Sequence, residues 1–260
     1  MGAQALRETA LAAARAGGAV LREGFGKAHK FRLKSSRVDL VTEHDRRSEE
    51  VIIAVIKRRF PEHSILSEER APVDTGSTYK WIIDPLDGTT NYTHNYPIFA
   101  ISIALERAGE IVLGLVYSPI LDELFLAERG RGATLNGKPI HVSRTAELSQ
   151  ALLATGFPCE LERISLNLKY FADFIHRAQA VRRDGSSALD LSYLACGRFD
   201  GLWEMDLRPW DVAAGALIVR EAGGRASGFS GGELDIYGNE ILASNGLIHQ
   251  EMVQVLEGRG

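Results

Sequence analysis

A chain of 260 residues with 45% apolar and 25% charged side chains can bury a sizeable core, and it has the size of one large α/β enzyme. Its 34 acids against 30 bases, a formal charge of -4, argue against the basic footprint of direct nucleic-acid binding. Two cysteines, Cys159 and Cys196, are too few for a disulfide framework; they fit a reducing, cytoplasmic setting as buried thiols.

The first segment repeatedly interrupts its apolar residues with Arg and Glu, which suits neither a signal peptide nor a membrane span. Leu6, Ala10, Ala13, Ala14, Gly17, Val20 and Leu21 recur at helical spacing, and Gly24 and Gly26 stop that helix. Residues 27 to 41 are basic and polar and read as an exposed loop turning into a strand. Thr42 and Asp45 form a capping box for a helix to about Arg59, ended by Pro61. Strands are expected at HSILSEE, YKWIIDP, FAISIALE and IVLGLVYSP, followed by the hairpin turns of ELFLAERGRGATLNGKPI. This predicts helices plus a largely antiparallel sheet over residues 1–145.

From 146 to 260 helices alternate with strands. A strand at ALLATGF precedes helices near 161–178 and 187–197, then a strand at GLWEM. A helix from Pro209 to Ala222 starts on Pro and ends at Gly223, and EILASN leads to a last helix near Leu256. The glycine-rich stretch 223–232 lacks the order of a dinucleotide loop and reads as turns. The seven histidines show no zinc-site spacing and are expected mostly on the surface.

The most informative stretch is WIIDPLDGTTN, residues 81–91, where an apolar strand ends in two aspartates. A tight turn through Pro85 can bring Asp84 and Asp87 to one point and free the Leu86 carbonyl. Those are hard oxygen donors, suited to Mg²⁺ rather than Zn²⁺. Gly88, Thr89 and Thr90 then start a short helix whose unpaired N–H groups suit a phosphate. The plainer alternative is an acidic turn that only caps a helix. Glu68 and Glu69 in ILSEE, and Asp211 in the first helical turn of RPWDVAAG, are further acids with equally plain readings.

Taken together, SEE, WIIDPLDGTTN and WDVAAG in this order resemble the inositol monophosphatase family, with KSSRVDLVT, YPIFAISIAL, LNGKPI and RRDGSSALDLSYLACGRFDGLWE extending the likeness over nearly the whole chain. The RPWD form resembles the family's bacterial branch. The resemblance implies an α+β fold, a layered α-β-α-β-α sandwich with lobes 1–145 and 146–260, and a Li⁺-sensitive phosphatase acting on myo-inositol monophosphate. It assigns Glu68, Asp84, Leu86 through its carbonyl, Asp87 and Asp211 to two Mg²⁺ ions, with a third, weaker one near Asp39. Asp45, Thr89 and Glu68 activate the attacking water. Lys34, Gly88, Thr89, Asn91, Gly185, Ser186, Ser187, Glu204 and Asp211 contact the substrate. Asp184, where a small uncharged residue is commoner, leaves the favoured ester open among fructose 1,6-bisphosphate, histidinol phosphate and nucleotide phosphates. A homodimer without membrane contact is implied, and one bacterial member suggests a transcription-machinery partner in ribosomal RNA synthesis as the contrasting role.

Overall fold

The computed structural model describes residues 2–27, 31–33, 40–158 and 161–258. Helix α1 (Ala3–Gly24) turns its small and aliphatic stripe inward: Ala10, Ala13, Ala14 and Leu21 are fully buried. A short antiparallel pair, β1 (Phe31–Leu33) and β2 (Leu40–Thr42), leads into α2 (Glu43–Arg59). Thr42 caps α2 as expected: its side chain accepts from the Asp45 N–H, and Asp45 accepts in return from the Thr42 N–H at 2.8 Å.

One sheet then runs through β3 (Ser64–Ser67), β4 (Tyr79–Asp87), β5 (Ala100–Arg107), β6 (Glu110–Ser118), β7 (Glu123–Glu128), β8 (Ala133–Leu135) and β9 (Lys138–Ile140), paired in that order; a short helix, α3 (Thr89–Thr93), follows β4. All its pairings are antiparallel except β3 with β4. Alternation along its strands makes two apolar faces. Trp81, Ile83, Ile101, Ile103, Leu105 and Leu115 pack toward α1 and α2, while Ile82, Ala104 and Val116 face the opposite way.

The second half supplies β10 (Leu152–Thr155), α4 (Leu161–Ile175), β11 (Ala180–Arg182), α5 (Ser187–Ala195), β12 (Gly201–Met205), α6 (Pro209–Glu221), β13 (Arg225–Ser227), β14 (Glu240–Ser244) and α7 (His249–Leu256). Its sheet order is β11-β10-β12-β14-β13, parallel over the first three strands. Helices α5 and α6 are sealed between the two sheets, so every residue of α5 is buried and its sequence reads apolar nearly all round. Beyond the second sheet, Phe174 of α4 and Met252 and Val253 of α7 cover Leu153, Trp203 and Leu242. The layers are therefore α1/α2, sheet, α5/α6, sheet, α4/α7, the expected α-β-α-β-α sandwich.

Four local expectations change. The glycine-rich stretch contains a strand, β13, because Arg225, Ala226 and Ser227 find the open edge of β14. Helix α4 ends at Ile175, and the chain straightens into β11. Cys196 is half-buried, with its thiol donating to the Tyr193 carbonyl, and Cys159 lies outside the described residues. His63 and His249 are fully buried rather than on the surface. His63 stacks between Phe60 and Tyr79 and accepts from Trp81 Nε1 at 3.1 Å. His249 lies between the Ser227 and Ser244 hydroxyls, each 2.9 Å away.

Two contacts yield measurable consequences. Gly114 of β6 faces α6 so closely that a Cβ there would lie 2.6 Å from the Ala214 carbonyl oxygen. Gly114→Ala is expected to lose about 1–3 kcal/mol in chemical denaturation through overpacking. Burial holds the His249 imidazole down at about pH 4, against an ordinary 6.5. The unfolded chain binds this proton first as pH falls, so stability is complete above pH 6.5 and declines toward pH 4. Thermal melts across that interval should show the decline, and His249→Gln should flatten it.

Candidate active site

The acids singled out in the sequence arrive from different layers. Asp84 stands near the end of β4, opposite Ser102 of β5, and the pairing then slips so that Asp87 faces Ala100. This bulge holds Pro85 and Leu86 and turns both aspartates toward the same edge. Ser48 of α2 fixes it from behind by donating to the Pro85 carbonyl at 3.0 Å. Glu68 follows the last residue of β3, and its N–H donates to the Ile83 carbonyl at 3.3 Å, one residue before Asp84. Asp211 occupies the first turn of α6, which is docked beside Asp84 because Ser102 donates to the Trp210 carbonyl at 2.9 Å.

A common device orients these groups. Asp84 Oδ1 accepts from the Leu86 N–H at 2.9 Å, and Asp211 Oδ2 accepts from the Arg208 N–H at 2.7 Å. Asp87 Oδ2 accepts from the Ala188 N–H at 2.8 Å and from Ser186 Oγ at 2.6 Å at the start of α5. Asp45 Oδ2 caps α2, while its Oδ1 accepts from Thr89 Oγ1 at 2.9 Å. One oxygen of each of these four aspartates is thus held by a backbone donor, which aims the other. The helix-capping reading and the site reading describe the same bonds.

Burial raises the Asp84 carboxyl well above its ordinary range, and the charges of Glu68, Asp87 and Asp211 push it further. Asp211 is raised well above its range by burial and then by Asp87; Asp87 is also raised, chiefly by burial. Asp45, buried at 0% exposure, is lifted by desolvation to about 6 against its bonds to Thr42 and Thr89. Acids that repel one another in this way favour a cation, and a donor set made only of oxygens favours a hard divalent one. Among the described residues no three His, Cys, Asp or Glu side chains form a ready-made metal cage. The fit lies in donor chemistry and charge rather than in a preformed shell.

Gly88 has φ 93°, and a Cβ there would meet the Ile98 and Gly185 carbonyls at 3.0 and 3.1 Å. Only glycine accommodates both the conformation and the contact. Asn91 donates to the Ile98 carbonyl at 2.6 Å and the Asp184 carbonyl at 2.7 Å, which ties the segment before Gly185 to α3. Ser187 hydrogen-bonds Glu204, a buried acid on β12 that desolvation raises to about 7. Lys34 and Asp39 lie outside the described residues.

Two contributors escaped the sequence reading. Gly156 lies in the stretch ALLATGF; a Cβ at this position would fall 1.7 Å from Glu204 Oε1, so glycine there makes room for the acid. Asp190 of α5 is 1% exposed with no partner for Oδ1, and burial followed by the charge of Glu204 raises it well above its ordinary range. The available signal was a lone acid in the otherwise apolar run ALDLSYLA.

Five alternating layers with acids gathered beside tight glycine turns suit a phosphomonoester hydrolase. The inositol monophosphatase family pattern matches residues 3–259, and the chain belongs to that family. An inositol-1-monophosphatase of Synechocystis is 46% identical over 96% of this chain and 88% of its own. The Nus factor SuhB of Pseudomonas aeruginosa is 39% identical over 93% and 92%, respectively. The crystal structure of the extragenic suppressor protein suhB of Bartonella henselae superposes with a TM-score of 0.93 at 38% identity, covering 97% of this chain and 98% of that one.

Crowding of buried acids opposes folding. Asp84→Asn, which keeps the acceptor for the Leu86 N–H, is expected to raise the Tm of the metal-free protein by about 2 °C or more in calorimetry. An unchanged or lower Tm would mean that the repulsion is already relieved.

Proposed function

We propose that this chain hydrolyses myo-inositol monophosphate to myo-inositol and phosphate with Mg²⁺ as its metal. The observation that carries this reading is the meeting of Glu68, Asp84, Asp87 and Asp211 beside the Gly88–Thr89 turn, where the charges of Glu68, Asp87 and Asp211 raise the Asp84 carboxyl and those of Asp87 and Glu68 raise Asp211. Glu68, Asp84, the Leu86 carbonyl, Asp87 and Asp211 would hold two ions, with a third near Asp39. Such ions would supply charge neutralisation for the phosphate and a lowered pKa for the attacking water.

The protein's own groups supply the rest. Thr89 donates its proton to Asp45 at 2.9 Å, so its oxygen can accept a hydrogen bond from the nucleophilic water. Glu68, at the end of the neighbouring parallel strand β3, shares that task. The N–H groups opening α3 meet phosphate oxygens, and Gly88 lets them come close. Glu204, Ser187 and Gly185 receive the polyol hydroxyls, and Ser186 and Asn91 hold the walls on which they stand. Lys34 adds a positive charge for the phosphate.

Lobes 1–145 and 146–260 meet at this site, since Asp211 and Glu204 come from the second and the other acids from the first. Lithium sensitivity, a homodimer and a cytoplasmic location complete the reading. No helix among the described residues is long and apolar enough to cross a membrane. The 39% identity to a Nus factor favours a second reading, a role beside the transcription machinery. Efficient catalysis without any transcription factor co-purifying from the native source would remove it.

Phosphate release from inositol monophosphates, fructose 1,6-bisphosphate, histidinol phosphate and nucleotide phosphates should be fastest with the first and abolished by a chelator. Undiminished turnover without metal would sink the proposal. Asp87→Asn should lose at least about 100-fold in kcat while keeping a native circular dichroism spectrum; near-normal turnover would take Asp87 out of the reaction.

A further inference from the structure

Helix α2 carries a second buried acid one turn beyond Asp45. Glu49 is 2% exposed. Its Oε1 accepts from Ser67 Oγ at 2.5 Å and from the Glu69 N–H at 3.1 Å, and its Oε2 accepts from Arg70 Nε at 2.8 Å. Those three donors bracket Glu68 on both sides in sequence. The same turn is tied to β4 by the Glu68 N–H, which donates to the Ile83 carbonyl.

The neighbouring position repeats the pattern. Asp45, Ser48 and Glu49 stand at i, i+3 and i+4, so one face of α2 reaches three separate segments: Thr89, the Pro85 carbonyl and the Ser67–Arg70 turn. Helix α1 presses against the back of this face, where a Cβ on Gly17 would come within 2.8 Å of Ser48 Oγ and Ile52 Cδ1. A helix backed in this way is a rigid ruler for loops that are otherwise far apart in sequence. Arg70 pairs with Glu49 at the protein surface, so the acid holds the turn with its charge compensated.

We propose that Glu49 is the positioning residue for Glu68: it clamps the Ser67–Arg70 turn and thereby sets how strongly the site holds a divalent cation. This rests on the reading of Glu68 as a cation ligand. The role requires a carboxylate, because both oxygens accept and the three donors converge on them. Glutamine would turn an NH₂ group toward one of those donors.

The test compares Glu49→Gln, Glu68→Gln and the double variant in kcat, KM and the Mg²⁺-induced rise in Tm. Glu49→Gln should lower kcat about 10- to 100-fold with KM within about threefold, and shrink the Mg²⁺-induced rise. In the Glu68→Gln background it should add nothing further. Additive losses in the double variant, or a full Mg²⁺ response in Glu49→Gln, overturn the proposal. If Glu68→Gln itself keeps turnover and the Mg²⁺ response, the reading of Glu68 fails and the role of Glu49 falls with it. Should Glu49→Gln not fold, Ser67→Ala keeps the Glu49–Arg70 pair and must move kcat and the Mg²⁺ response in the same direction; unchanged values overturn the proposal equally.

Discussion

Mutual repulsion among carboxylates in a desolvated cleft is the constraint on which the remaining architecture depends. Asp87 and Asp211 raise the protonation tendency of Asp84, Asp87 raises that of Asp211, and Glu68 adds to all three. Such a group does not assemble by itself. It is imposed by the burial of Trp81, Ile83, Leu86 and Phe99 beneath the β4 bulge and of Val212, Ala213 and Ala216 along α6. The apolar cores therefore offset the electrostatic strain that the site stores.

Backbone donors make the strain tolerable. Asp45, Asp84, Asp87 and Asp211 each take a hydrogen bond from a main-chain N–H, and for Asp45, Asp87 and Asp211 that donor lies at the start of a helix, where the dipole favours negative charge. The same bonds satisfy donors that a helix start leaves unpaired. Fold and site consequently share their hydrogen bonds. A substitution that disturbs the caps of α2, α5 or α6 also redirects a carboxylate.

Separation between layers is controlled by absent side chains as much as by present ones. Gly114 lets β6 approach α6, which carries Asp211, and Gly17 lets α1 approach α2, which carries Asp45, Ser48 and Glu49. Gly156 clears room for Glu204 on the second sheet. On that side the buried pair Asp190 and Glu204 gives the cleft a further, separate concentration of acid, suited to donors such as hydroxyl groups.

The sequence by itself determined most of the elements and singled out Asp84, Asp87 and Asp211. The helical stripe of α1, the Thr42–Asp45 capping box and the alternation in β4 to β6 are local patterns, and local sterics and solvent decide them. Asp84 and Asp87 were legible as a pair because three bonds of sequence separation and a proline leave few other conformations. Only the tertiary structure decided which groups face each other across long separations. Nothing near Asp211 in the chain points to Ser102, nothing near Glu49 points to Ser67, and β13 became a strand because β14 offered it an edge. His63 and His249, polar by type, were drawn inside because their ring nitrogens found Trp81, Ser227 and Ser244 there. Burial and long-range pairing are properties of the packed layers, and no window of the sequence contains both partners.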